Sequence, residues 1–184
     1  MFGIRTHSQI LALLLTLGVL FATGCGNSDD SSSGSVDDGA AVDLNALLLE
    51  AAPEGATPIT ELKESAEEGD EVIVHVVVGG NETPIAEGLA VATVVDISLD
   101  NHCLVEDDHC PMPWDYCCTA RDLITANSAT IQLVDEQGAV VSADFSELFE
   151  PQATLTVIGT VGPRPNDQVL VIYATGIHVG PIAQ

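Results

Sequence analysis

Positive charge is almost missing from this sequence. Its 184 residues hold 28 Asp and Glu but only four Lys and Arg, a formal net charge of −24. Nucleic acids are bound mainly through basic side chains that displace counterions, so a nucleic-acid partner is excluded. The acids are spread along the chain, which suits solubility in a salty medium where self-repulsion is screened. Attraction of cations or of a basic protein partner is the functional alternative. Aromatics are scarce as well: four Phe, two Tyr and one Trp. The core must therefore be Val, Ile, Leu and Ala, and the stacking surfaces of single-strand binders are missing. No GxSxG, P-loop, HExxH or C-x-x-C motif is present, so the signatures of hydrolases, nucleotide enzymes, zinc proteases and thiol oxidoreductases are all lacking. This content argues against an enzyme.

Residues 10–22 are apolar except for Thr16 and Gly18, and Arg5 precedes them. A bilayer span needs ~20 apolar residues; this run is shorter and suits a signal-peptide core of about 7–15. The following Ala22-Thr23-Gly24-Cys25 resembles a bacterial lipobox, departing from it at Ala22, where that family prefers Leu. The resemblance implies removal of residues 1–24, acylation of Cys25 and, with Gly26 in place of Asp, an outer-membrane address. An ordinary secretory signal with Cys25 as a stray thiol is the alternative. Loss of the leader removes Arg5 but no acid, leaving Lys63, Arg121 and Arg164 as the bases. Residues 25–56 then read as an acidic, Ser-rich tether. Within it Leu44, Leu47, Leu48 and Leu49 predict a weak helix, capped by Asp43, stopped by Pro53 and outside the folded core.

Residues 57–184 make a single domain of ordinary size. Thr57 or Thr60 as cap, Pro58 in the first turn and Gly69 as stop predict a helix over 59–67. Strands are predicted over 71–80, 89–99, 129–143, 153–162 and 169–180, the third folding back around Glu136, Gln137 and Gly138. A short helical connector with Asp144 as cap lies between the third and fourth. That is the order of an OB-fold, a small five-stranded Greek-key barrel. Gly159, Gly162 and Gly176 suit its sharp bends. The segments "EGDEVIVHV", "CPMPWDYCC" and "VIGTV…VIYATGIHV" resemble those of uncharacterised acidic bacterial lipoproteins with an OB-like fold. The likeness covers 59–179, implies the barrel and carries no activity; that those relatives keep the cysteines and the WDY implies that the loop matters to the fold or its task.

The distinguishing feature is an insertion over 99–123, between the second and third strands. It carries His102, Cys103, His109, Cys110, Cys117, Cys118 and the only tryptophan, Trp114. Outside the cytoplasm, four cysteines read first as two disulfides. A bond between the neighbours Cys117 and Cys118 is strained, so each should pair with Cys103 or Cys110. Each bridge would contribute roughly 2–4 kcal/mol. Alternatively, the two histidines and four cysteines hold zinc or copper(I), with Asp107, Asp108 and Asp115 as outer partners, although no C-x2–4-C knuckle is present. A Cys–His enzyme would need a third orienting group, which no motif supplies. Trp114 is expected to pack inward, and Trp114, Asp115 and Tyr116 form a candidate partner surface. His75 and His178 fall in strands, as lining or surface residues. The expected protein is thus an extracytoplasmic, lipid-anchored OB-like binding or structural module of the cell envelope, with metal binding as the alternative.

The leader makes a direct prediction. Intact mass of the membrane-extracted protein should show a lipidated chain starting at Cys25, and Cys25→Ser should abolish the lipid. A water-soluble wild type with another N-terminus would reject the assignment.

Overall fold

The architecture follows from alternation. In β1 (Glu71–Val78), Val72, Val74, Val76 and Val78 are buried, while Ile73, His75 and Val77 stand half-exposed on the other face. Side chains alternate across a strand, so this sequence presents one valine face to an interior. β2 (Val91–Asp96), β3 (Ser128–Gln132), β4 (Thr154–Val161) and β5 (Val171–Val179) supply the rest. The computed structural model describes residues 43–104 and 110–181. The predicted leader, Cys25, Asp107, Asp108 and His109 lie outside the described residues.

The strands close into a barrel in the order β1-β2-β3-β5-β4. Every pairing is antiparallel except β3 with β5, which is parallel at Thr130↔Val171, Ile131↔Ile172 and Gln132↔Tyr173. The expected five-stranded OB-like barrel is therefore the fold. Closure leaves no long free edge, and aliphatic side chains fill the interior: Val74, Val94, Ile131, Leu155, Val157, Ile172 and Ile177 are fully enclosed. Each such side chain contributes about 1.5–3 kcal/mol on burial. Phe145 and Phe149, with ring centroids 5.3 Å apart, add the only aromatic pair among the described residues. Gly159 sits at a register shift between β4 and β5. A Cβ there would lie 2.3 Å from the Tyr173 carbonyl oxygen, so the closest approach of these strands requires glycine.

Several boundaries move. β2 is six residues long, shorter than the predicted 89–99. β3 ends at Gln132, and the fold-back beyond it is a bridge from Val134 to Val140. A helix absent from the sequence reading, α2 (Arg121–Asn127), leads directly into β3. Residues 43–49 pack on the barrel, and Leu44 and Leu47 join its core, contrary to the expectation that they lie outside it. Asp43 does cap a turn, accepting the Asn45 N–H, but the turn is 3₁₀ over Leu44–Leu47. Leu44 and Leu47 are only 4% and 9% exposed, and the Leu49 N–H donates to the Ile177 carbonyl at 2.8 Å. The free side of β5 gives this segment a backbone partner, and that outweighs its weak helical propensity.

Helix α1 (Ile59–Ser65) is capped from a distance. Neither Thr57 nor Thr60 is the cap. Pro58 occupies the position without a side-chain bond, and the Ile59 N–H donates to Asp96 Oδ2 at 2.7 Å. Asp96, at the end of β2, also accepts from the Ser98 N–H and hydroxyl. At the other end, the Arg164 guanidinium donates to the carbonyls of Leu62, Lys63 and Ala66. Lys63 reaches across to the Thr125 carbonyl in the last turn of α2. Two of the scarce cations thus satisfy helix C-termini, where orphan carbonyls and the dipole favour positive charge. Burial, and secondarily the Arg164 charge, lowers the Lys63 pKa.

This arrangement predicts unequal costs. Arg164→Ala should strip three carbonyls of their partner and cost about 2–3 kcal/mol, a fall in Tm of roughly 6–12 °C. Lys63→Met should cost less, because it also relieves burial of a charge beside Arg164. Paired thermal melts check both, and equal losses would refute the division of roles.

A four-cysteine cluster as candidate functional site

The insertion begins at the end of β2 and is seated on the end of β1. Gly79 and Gly80, which close that strand, receive the loop backbone. The Gly80 N–H donates to the Trp114 carbonyl at 2.8 Å. A Cβ on Gly79 would stand 2.6 Å from that same oxygen and 3.2 Å from the Tyr116 ring. Only a bare strand end admits this contact.

Tyr116 is the residue that holds the loop down. It is 2% exposed, and it packs with Val95 and Ile124, joined by Val77 and Leu99, in a small second core. Such satellite clusters form beneath long loops. Its backbone is left-handed, φ 58°, directly after the 3₁₀ turn Pro113–Asp115. A bulky side chain rarely adopts this conformation, and the burial of the ring offsets the cost. Burial pushes the Tyr116 phenol up in pKa, and a hydrogen bond with Asn101 opposes the shift. Asn101 also donates to the Pro113 carbonyl at 2.8 Å and accepts the Cys103 N–H at 3.0 Å. One amide therefore ties the two arms of the loop together. Trp114, expected to be the inward aromatic, is instead half-exposed, with its indole N–H on the Glu82 carbonyl at 3.0 Å. Tyr116 is thereby removed from the proposed partner surface.

The turn reversed by Tyr116 delivers Cys117 and Cys118 to the upstream cysteines. Cys117 Sγ lies 3.4 Å from Cys103 Sγ, 3.4 Å from Cys110 Sγ and 3.7 Å from Cys118 Sγ. The two disulfides expected from the sequence are not formed: all four residues are thiols. A disulfide requires about 2.05 Å, and Cys117 stands equally far from two sulfurs instead of bonding to one. Asp115 accepts the Cys117 N–H at 2.7 Å. Ligand atoms of Cys103, Cys110, Asp115 and Cys117 all lie within 4.8 Å of one another. His102, a candidate ligand by sequence, does not join this group.

Exposure grades across the cluster. Cys103 is buried at 3%, Cys110 is intermediate, and Cys117 and Cys118 are open to solvent. Burial opposes ionisation of Cys103, but hydrogen bonds from the Cys118 N–H and from the thiols of Cys117, Cys118 and Cys110 together pull its pKa down. Cys117 is pushed up, chiefly because it donates to Cys103, then to Cys110 and Cys118. The hydrogen bonds of the cluster thus converge on the buried Cys103 sulfur. Its spacing also fits a tetrahedral ion: at a Zn–S length of about 2.3 Å, adjacent thiolates sit about 3.8 Å apart.

No protein-family model, curated protein or solved structure matches this chain. The sequence pointed to the four cysteines and to Asp115, but it missed Gly79 and Asn101, and it named Tyr116 as partner surface rather than as the buried anchor. Two signals were available. One is the double glycine ending a strand. The other is Asn101 two residues before Cys103, a spacing that suits a side-chain turn.

The seat is testable. Gly79→Ala should lower stability by about 1–3 kcal/mol through overpacking and should lift the Trp114–Tyr116 segment. Cys103 should then be alkylated by iodoacetamide at a rate approaching that of Cys117. Unchanged protection of Cys103 would show that the cluster does not depend on the seat.

Proposed function

We propose that this chain is a metal-binding module that holds a thiophilic ion, zinc or copper(I), in its four-cysteine cluster. The observation that carries the reading is the separation of the sulfurs, 3.4–3.7 Å around Cys117. That is too long for a covalent bond and close to the edge of a thiolate tetrahedron. Cys103, Cys110 and Cys117 would be ligands, with the fourth place taken by Asp115 or Cys118. Soft sulfur donors select zinc or copper(I) over magnesium or calcium. The barrel acts as a rigid mount, and Asn101 and the Asp115–Cys117 hydrogen bond orient the ligands in the way outer partners tune metal sites. The surplus of acids raises the local concentration of cations.

The placement of the module is proposed from the sequence. Residues 1–24 would export the chain, and a lipid on Cys25 would hold it at the bacterial envelope. Among the described residues no helix is long and apolar enough to cross a membrane. The resemblance to OB-like lipoproteins supports the same placement.

The test uses detergent-solubilised full chain carrying Cys25→Ser, so that only the cluster's thiols report. Under anaerobic, reducing conditions it should bind one zinc per chain. Cobalt in place of zinc should give thiolate charge-transfer absorption and tetrahedral ligand-field bands. Cys103→Ser should weaken zinc at least about 10–100-fold, by analogy with the loss of supporting groups at metal sites. Sub-stoichiometric binding, or binding indifferent to replacement of all four cysteines by serine, would reject the reading.

A further inference from the structure

We infer a second chemistry for the same sulfurs, resting on the metal reading: oxidation by a disulfide closes two cross-links, Cys110–Cys117 and Cys103–Cys118, and expels the ion. The reasoning starts from Cys117. It stands 3.4 Å from both Cys103 and Cys110, but one sulfur enters only one disulfide. Its choice decides the rest. Cys118 contacts Cys103 through both its backbone N–H and its thiol. If Cys117 takes Cys110, Cys118 is left against Cys103, and all four sulfurs are paired with present neighbours. Closing Cys110–Cys117 contracts their sulfur–sulfur distance by about 1.4 Å to reach 2.05 Å. The other contacts, Cys103 with Cys110 and the chain neighbours Cys117 and Cys118 at 3.7 Å, complete each other as a pairing and would force a disulfide across a single peptide bond.

Exposure sets the order of events. Cys117 is open to solvent and Cys110 partly so, while Cys103 is buried. An external disulfide therefore meets Cys117 or the equally exposed Cys118 before Cys103, and at Cys117 the nearest resolving partner that is also accessible is Cys110. The Cys117 sulfur, a thiolate when it ligates the ion, attacks one sulfur of the oxidant, breaking its S–S bond and releasing one thiolate. The Cys110 thiolate then displaces the second thiolate and forms Cys110–Cys117. Two electrons pass from the protein to the oxidant, whose two sulfurs leave as thiolates and take their protons from solvent. A second equivalent of oxidant does the same at Cys118 and Cys103. A disulfide sulfur carries no thiolate charge, so a bound ion would keep Asp115 as the only anionic ligand of its set. Reduced, the loop is a metal site. Oxidised, it is a loop with two staples and no site.

The experiment uses the same full chain with Cys25→Ser, loaded with zinc and titrated with oxidised glutathione. Zinc stoichiometry is measured before oxidant is added, so a failure of the metal reading is seen separately from a failure of the cross-linking. One zinc per chain should be released to a chromophoric chelator as four thiols disappear, and a thiol reductant should restore binding. Mass spectrometry with backbone fragmentation between residues 117 and 118 should find Cys110–Cys117 and Cys103–Cys118. Two double variants keep the pairing falsifiable if one of them folds poorly: Cys103→Ser with Cys118→Ser should still close Cys110–Cys117, and Cys110→Ser with Cys117→Ser should still close Cys103–Cys118. A dominant Cys103–Cys117 or Cys117–Cys118 product, or zinc retained after all four thiols are consumed, would overturn the inference.

Discussion

The contact between the end of β1 and the loop at Trp114–Tyr116 is the constraint on which the site depends. The insertion has little apolar content of its own, and ordering such a segment costs roughly 1–2 kcal/mol per residue in backbone entropy. Burial of the Tyr116 ring against Val95 and Ile124 supplies the main compensation. It works only because Gly79 and Gly80 let the loop backbone approach the strand. Remove either half and the cysteines lose their common frame. The barrel needs none of this, since its valine and isoleucine interior closes independently of the insertion.

Scarcity of positive charge shapes the rest of the molecule. A chain with this few bases cannot spread them over surface ion pairs, which contribute little in any case. Arg164 and Lys63 are used where a cation is worth more, on helix carbonyls with limited access to water. The first of these helices is tied to the sheet by an acid, Asp96, at the N-terminus of α1. α1 and α2 are thus fixed by a few long-range polar contacts. α2 is in turn the element that brings the chain from the cysteine loop into β3.

The barrel was legible because β-branched runs, period-two burial and glycine placement all point one way. β1 and β4 fall within their predicted spans, and both aspartate caps, Asp43 and Asp144, are where local chemistry puts them. Long-range contacts were not legible. No local pattern links Asp96 to Ile59, thirty-seven residues away, or sends Leu44 and Leu47 into the core beside β5. Helix α2 has too short a run to show a period. In the insertion, residue types named the cysteines, but the choice of Tyr116 over Trp114 as the buried ring depends on the left-handed turn and the glycine seat. Neither can be seen without the partner strand.

The docking of residues 43–49 on β5 has a mechanical meaning. Any pull transmitted from upstream enters the domain at Asp43 and first meets the parallel bridge from Leu48 to Ile177 and the buried Leu44 and Leu47. The ring of strands is closed by β3, β4 and β5 pairings that this load does not reach directly. Under tension the short segment would peel first, adding its own span to the chain upstream while the barrel and its cysteine loop stay intact. Were the chain held by the lipid proposed on Cys25, residues 43–49 would act as a small shock absorber between that anchor and the barrel.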